Sequence, residues 1–312
     1  MTEYACHVRD VHDLFRHRVQ AVLDQDEPRF ANWDQDAVAA ERRYDLADPA
    51  AVAAELSSAA EQVAGRYEAV AGTAWDRTGV RGDGRVFTVA SLARYHLHDV
   101  VHHIWDVRTQ LTLAAYDADA AAYREATVAL TEPVRAAVDD FADRLPEQAR
   151  VLEIGSGGGR DALALEERGV RVRRTDVTRG FVDRLRADGH RADVLDPLRD
   201  ELLDETGRRY DGIWANASLL HVARADLPTV LERLAEATEP GGVLRMTLKE
   251  GDGAGWSTHG SIRAPRMFTY WREPALRSVA EQAGWRVDRV QRGEVGQRGE
   301  RWLDVVAYRG CP

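Results

Sequence analysis

The sequence predicts a two-part chain, with helices and loops over residues 1–112 and an α/β unit over 113–312 built on a doubly wound parallel sheet. Three observations predict it. Apolar side chains at Val8, Val11, Phe15, Val19 and Val22 recur at spacings of three and four, which is one face of a helix. From about residue 149 onward, short apolar runs alternate with helical patterns, the order that gives a parallel sheet covered on both faces. One of those runs, VLEIGSGGGRDALAL, passes from a buried strand through a glycine loop directly into a helix.

The front begins with a helix over 3–24, followed at 27–48 by a loop with one short helix. Asp48-Pro49 is a helix start, a capping residue before proline at the first helical position, and that helix runs to about Ala71. The stretch GVRGDGR at 79–85 reads as a flexible loop, and Thr88 opens a helix ending near Leu111. The front is thus expected to be all-α. Helical patterns at 117–129 and 131–144 lead into the back, and the domain boundary falls around 108–120. Seven strands are expected there, at 149–155, 170–176, 191–196, 210–216, 243–250, 285–292 and 302–309. Helices are expected at 160–168, 179–188, 198–205, 225–237 and 273–283, and the last two strands should form an antiparallel hairpin at the sheet edge.

Composition narrows the function. The 312 residues suit two domains, and 44% apolar with 30% charged residues is an ordinary globular mixture. No run approaches the ~18 apolar residues of a membrane helix, and the N-terminus lacks a signal-peptide layout, so a cytoplasmic protein without a membrane partner is expected. Cys6 and Cys311, near opposite ends, offer neither a disulfide framework nor a cysteine-rich zinc module. A formal charge of −10 argues against nucleic-acid binding. Lys249 is the single lysine beside 41 arginines, a bias that matches a GC-rich bacterial gene.

The glycine loop departs from the dinucleotide fingerprint G-x-G-x-x-G, because Arg160 takes the sixth position and Glu153 stands two residues before the first glycine. A carboxylate there suits a ligand carrying an ammonium or sulfonium and repels a pyrophosphate. Asp176 ends the next strand, 19 residues after Gly157, where a carboxylate can grip two ribose hydroxyls. Asp193, at a third strand end, could meet an adenine amino group. The ordered series LEIGSGGGRDA, RRTDVT, RADVLD, YDGIWANASLLH, EPGGVLRMTLKEG and FTYW resembles the class I S-adenosylmethionine-dependent methyltransferases over about 114–309. The resemblance implies a Rossmann-like seven-stranded sheet and S-adenosyl-L-methionine as cofactor. It places Glu153, Gly155, Ser156 and Gly157 along the methionine moiety, Asp176 on the ribose, Asp193 and Val194 at the adenine, and Asn216 and Ala217 close by.

Methyl transfer is an in-line displacement at a sulfonium, so the protein's first task is to place a nucleophile ~3–3.5 Å from the methyl carbon. His221, after the fourth strand, is a candidate base, or else a packing histidine. Lys249 closes the fifth strand, where it could orient an anionic acceptor, pair with Asp252 or stand in solvent. Tyr270, with Phe268 and Trp271, could wall the acceptor pocket, and His259 belongs to a glycine-rich loop suited to a lid.

Seven of ten histidines fall in two windows, His7, His12 and His17, then His96, His98, His102 and His103. His98 and His102, four apart, share a helical face and can chelate one metal, with His7 as a third ligand. Asp99 and His103 form a competing pair on the adjacent face. This front resembles the DinB-like four-helix bundle, including the N-terminal domain of mycothiol-dependent maleylpyruvate isomerase. That resemblance implies a divalent metal, zinc or nickel-like, on His7, His98 and His102. The family has a whole helix before its first ligand, whereas six residues precede His7; either residues 113–130 or a second subunit supply it, or the bundle is altered. The expected function is methylation of a small-molecule acceptor in bacterial specialised metabolism. Alternatives are a metal-dependent thiol-transfer enzyme with an appended methyltransferase domain, or a methyltransferase whose front only scaffolds or forms a homodimer.

Overall fold

The computed structural model describes residues 1–258, 262–293 and 299–310. It divides into units Met1–Val107 and Arg108–Pro312, each with its own core. The first holds α1 (Thr2–Asp24), β1 (Arg29–Phe30), α2 (Gln35–Glu41), α3 (Pro49–Glu68), β2 (Thr78–Arg81), β3 (Val86–Thr88) and the start of α4 (Val89–Ala118). The apolar stripe of α1 does what its spacing requires. Val11, Phe15, Val19 and Val22 pack with Val70, Phe87 and Leu92, and α1 lies against α3. Asp48 caps α3 by accepting the Ala51 N–H, with Pro49 in the first turn.

The front is not all-α. β1, β2 and β3 form a three-stranded sheet, and GVRGDGR is no flexible loop: its first three residues end strand β2 and residues 82–85 turn the hairpin into β3. The register depends on a bare Cα at Gly79. A Cβ there would meet the Phe30 ring at 2.6 Å and Val22 at 2.7 Å. Glycine therefore marks a tight strand contact, a meaning its local sequence does not distinguish from a loop.

The second unit continues with α5 (Ala120–Thr127), α6 (Glu132–Ala142), β4 (Arg150–Ile154), α7 (Arg160–Glu167), β5 (Arg171–Asp176), α8 (Arg179–Ala187), β6 (Ala192–Val194) and β7 (Tyr210–Ala215). Then come α9 (Leu227–Glu236), β8 (Thr238–Glu250), β9 (Ala254–Ser257), β10 (Arg266–Trp271), α10 (Glu273–Gln282), β11 (Trp285–Arg292) and β12 (Trp302–Arg309). The path β11-β12-β8-β7-β4-β5-β6 contains all seven expected strands, with β11 and β12 antiparallel at one edge. The expected count of seven is nevertheless too low. β10 pairs with β8, and β9 with β10, so the described sheet has nine strands.

One face of the sheet buries Leu152, Ile213, Leu244 and Leu303 with Leu231 and Leu276 of the covering helices, and the other buries Val151, Trp214 and Val306 with Phe141 and Leu165. Residues 198–205 do not form the expected helix; they are turns. Asp196 accepts the Leu198 N–H, Asp200 the Asp196 N–H and Asp204 the Thr206 N–H. Such local carboxylate bonds compete with a helical ladder. No described helix is long and apolar enough to cross a membrane.

Candidate functional site

In an open parallel sheet, ligands bind beyond the carboxyl ends of the strands where chain order reverses, here between β4 and β7. The loop after β4 lies there. Gly155 has φ +78°, and a Cβ on it would collide with that of Ser218 in the loop after β7. Gly157, at φ +52°, has only the Tyr123 ring nearby, 3.5 Å from where a Cβ would stand. Glycine at these positions lets two strand ends close on each other and leaves main chain open to a ligand.

Asp176 ends β5 and is 6% exposed. It accepts the Gly157 N–H at 2.9 Å on one oxygen and the Thr178 N–H at 2.8 Å on the other. The carboxylate therefore fixes the glycine loop, and burial pushes its pKa up. Glu153 is 2% exposed beneath the same loop and accepts the Ser156 hydroxyl. Burial, followed by the neighbouring Asp161 carboxylate, holds Glu153 at about 8. The Ser156 hydroxyl also accepts the Thr175 N–H at 3.1 Å, so its side chain works under the loop.

Asp193 accepts Arg173 Nε at 2.8 Å, while Val194 is exposed at the end of β6. Asn216 donates to Asp161 at 2.8 Å and accepts the Thr247 hydroxyl at 2.8 Å. Its amide thus ties β7 to α7 and β8. Ala217 follows at φ +53°, a strained conformation for a residue with a Cβ, and donates its N–H to the Thr247 hydroxyl at 2.7 Å.

The structure surrounds His221 with residues the sequence did not single out. Its Nδ1 lies 2.7 Å from the Met267 carbonyl and its Nε2 2.9 Å from the Tyr116 hydroxyl. A carbonyl cannot donate, so Nδ1 carries the proton and Tyr116 donates to Nε2. Burial, then the positive charges of Arg266 and Lys249, push the imidazole down to about 4. His221 is accordingly a neutral group that orients Tyr116, and a weak base. Arg266 is buried and lies over the Tyr116 and Phe268 rings, while Tyr123 and Phe181 contact Tyr116. Tyr116 near the end of α4 and Tyr123 of α5 meet edge to face across the break at Asp119, so no single helical periodicity marks this wall in the sequence.

Lys249 does not stand free on the rim. It is 4% exposed, pairs with Glu300 at 2.7 Å and lies 3.8 Å from the Phe268 ring centre. Asp252, its expected partner, is held by Arg272. Tyr270 pairs with Lys249 across β10 and β8, with its ring against Gly251. His259 lies outside the described residues.

In the front unit the expected ligand trio is not brought together. His98 and His102 are exposed, and His102 faces Asp106 at 3.4 Å. His7 instead meets His103, with Nε2 atoms 2.8 Å apart, and Asp99 lies 3.6 Å from His103. His7, Asp99 and His103 each offer a ligand atom within 4.8 Å of the others. The helix turned by one residue relative to the expected face, because His96 is drawn into the core against His12 at 2.9 Å.

The model of a family described as "Methyltransferase domain" matches residues 123–290, more than half of the sequence, and the chain belongs to that family. Among solved structures it is similar to the 1,6-didemethyltoxoflavin-N1-methyltransferase of Burkholderia thailandensis, solved with 1,6-didemethyltoxoflavin and S-adenosylhomocysteine. That pair is 22% identical over 64% of this chain and 88% of the other, with a TM-score of 0.49. The CcbJ methyltransferase of Streptomyces caelestis is 19% identical over 58% of this chain and 91% of its own, with a TM-score of 0.47. A Methanosarcina mazei methyltransferase is 15% identical over 55% and 96%, at 0.48. No curated protein matches.

Proposed function

We propose that the chain is an S-adenosylmethionine-dependent methyltransferase acting on a small-molecule acceptor. One observation carries the reading: Glu153 and Asp176, both buried, converge under a glycine loop whose Gly157 N–H is bound by Asp176. Two carboxylates with no basic side chain hydrogen-bonded to them among the described residues suit a nucleoside with a cationic aminoacyl tail, and suit a pyrophosphate poorly. In this reading Asp176 holds the ribose, Asp193 and Val194 border the adenine, and Gly155 and Gly157 leave room for the methionine chain beside Glu153. Asn216 and Ala217 line the same edge.

The bound cofactor supplies the electrophilic methyl group. The chain's own contribution is placement. Tyr116, fixed by His221, together with Phe268 and Arg266, forms the wall against which the acceptor is held, and Lys249 braces Phe268 from behind. Tyr270 lines the outer edge. Mixing the chain with methyl-labelled S-adenosylmethionine and small amines, phenols and carboxylic acids should give a product heavier by one methyl group. Failure to bind either S-adenosylmethionine or its demethylated product contradicts the reading.

For the front unit, the meeting of His7, Asp99 and His103 favours a divalent metal held by two imidazoles and a carboxylate, in place of the set His7, His98 and His102. Asp99 Oδ2 lies 3.6 Å from His103 Nε2 and is buried without a hydrogen-bond partner among the described residues, the condition a cation relieves. Elemental analysis should find about one equivalent per chain, lost in His103→Ala and kept in His98→Ala. Equal content in the two variants excludes this site. Catalysis in bacterial specialised metabolism, a cytoplasmic location and a homodimer remain part of the proposal.

A further inference from the structure

Arg18 stands on the buried side of α1, three residues after Phe15 and one before Val19, and is 7% exposed. Elsewhere in the chain, buried Arg174 holds Glu166, buried Arg245 holds Asp304 and buried Lys249 holds Glu300. Arg18 has no carboxylate partner among the described residues. Its Nη2 donates to the Ala31 carbonyl at 2.8 Å, and its Nε is buried without a hydrogen bond. The guanidinium lies 5.0 Å from the Phe30 ring centre and 5.8 Å from that of Phe15. Burial, then the like charge of Arg81, push its pKa down, against the Tyr95 hydroxyl. Arg81, the register partner of Phe30 across β1 and β2, is itself engaged by Asp83, to which it donates from Nε at 3.1 Å and from Nη2 at 2.6 Å. The charge left to answer is that of Arg18. A carbonyl dipole and two ring faces do not replace a full counter-charge, and packing alone would fill this position with an apolar side chain.

We propose that Arg18 seats the oxoanion of a small ligand, a carboxylate or a phosphate, on the front unit, with the Arg81 guanidinium and the Tyr95 hydroxyl beside it. The guanidinium offers parallel N–H groups that match two oxygens of such an anion, and Arg18 Nη1 makes no hydrogen bond among the described residues. Tyr95 is exposed and marks the side open to solvent. Its ring is held edge to face by Phe15 at 5.6 Å and stacked on Phe87 at 6.2 Å, so the hydroxyl is a placed donor. The same rings give the body of the ligand an apolar surface. All these residues lie in the unit Met1–Val107, so the seat stands or falls independently of the cofactor reading.

The test is calorimetric titration of the full chain with sodium benzoate and, separately, with sodium phosphate, at an ionic strength held constant with sodium chloride. Wild type should bind about one equivalent of at least one of the two anions. Arg18→Met should weaken that binding about tenfold or more, and Arg81→Gln should weaken it several-fold. Binding of benzoate alone assigns the seat to a carboxylate, and binding of phosphate alone to a phosphate. Binding of neither anion overturns the proposal. Equal affinity in wild type and Arg18→Met means an adventitious ion only, and overturns it too. Should Arg18→Met fail to fold, Arg81→Gln on the exposed hairpin decides, because unchanged affinity there contradicts a seat shared by the two guanidinium groups.

Discussion

Replacing Asp176 by alanine removes one carboxylate with two duties. In the protein alone it accepts the Gly157 and Thr178 N–H groups at 2.9 and 2.8 Å while 6% exposed. Leaving a buried donor unsatisfied costs about 1–3 kcal/mol, and water entering the vacated space lowers that figure, so a loss of about 2 kcal/mol in stability of the second unit is expected. For the ligand, losing a charged acceptor of the ribose hydroxyls costs a further ~1.5–3 kcal/mol, or about 10- to 150-fold in Kd. Asp176→Asn separates the two duties. Its amide oxygen keeps one N–H while its NH2 faces the other, so its Kd should lie between those of wild type and Asp176→Ala. Titration with S-adenosylhomocysteine, alongside thermal melts of each variant, reads both quantities. A folded Asp176→Ala that binds within twofold of wild type refutes the assignment.

Other consequences are equally direct. Gly155→Ala places a Cβ against Ser218 at φ +78°, and should weaken S-adenosylhomocysteine binding at least tenfold by displacing the loop, whereas unchanged binding means the contact is slack. His221 should stay neutral down to about pH 5, so a ring-proton resonance assigned through His221→Asn that titrates near 6.5 would contradict its burial. Acid should loosen the front unit. His96, pushed down to about 4 by burial and then by His12, binds its proton more weakly folded than unfolded. The stability it contributes is complete above about pH 6.5 and declines as pH falls towards 4, by about 2 kcal/mol at pH 5. Hydrogen exchange in α1 should accelerate accordingly, less so in His96→Gln; equal pH dependence in the two would remove His96 as the cause.

The sheet was legible because its strands announce themselves twice, by apolar runs and by acidic or glycine residues at their ends. Asp176 closes β5, and Glu153 and Asp193 each stand one residue before a strand end, so the glycine loop and its acidic neighbours were readable from residue types alone. The acceptor wall was not. Tyr116 falls between the helix expected to end near Leu111 and the pattern expected from 117, a gap that α4 bridges by running on to Ala118, and Arg266 precedes a run that looks like loop and core. Their meeting with His221 depends on β10 pairing with β8, a long-range contact without a local signature. The same limit explains Lys249. Its rarity drew notice, but its fate was set by Glu300, 51 residues away, and by Phe268. In the front, helical spacing correctly grouped histidines on faces, yet which face turned inward was decided by packing of His96 against Phe15 and His12, beyond the reach of periodicity.

A crystal structure of the chain with S-adenosylhomocysteine tests the central claim most directly. The ribose hydroxyls should lie on Asp176, the aminoacyl tail along Gly155 and Gly157 with its ammonium towards Glu153, and the sulfur should face the side of the cleft that holds Tyr116 and His221. A ligand bound away from the glycine loop, or with its tail directed away from Glu153, contradicts it.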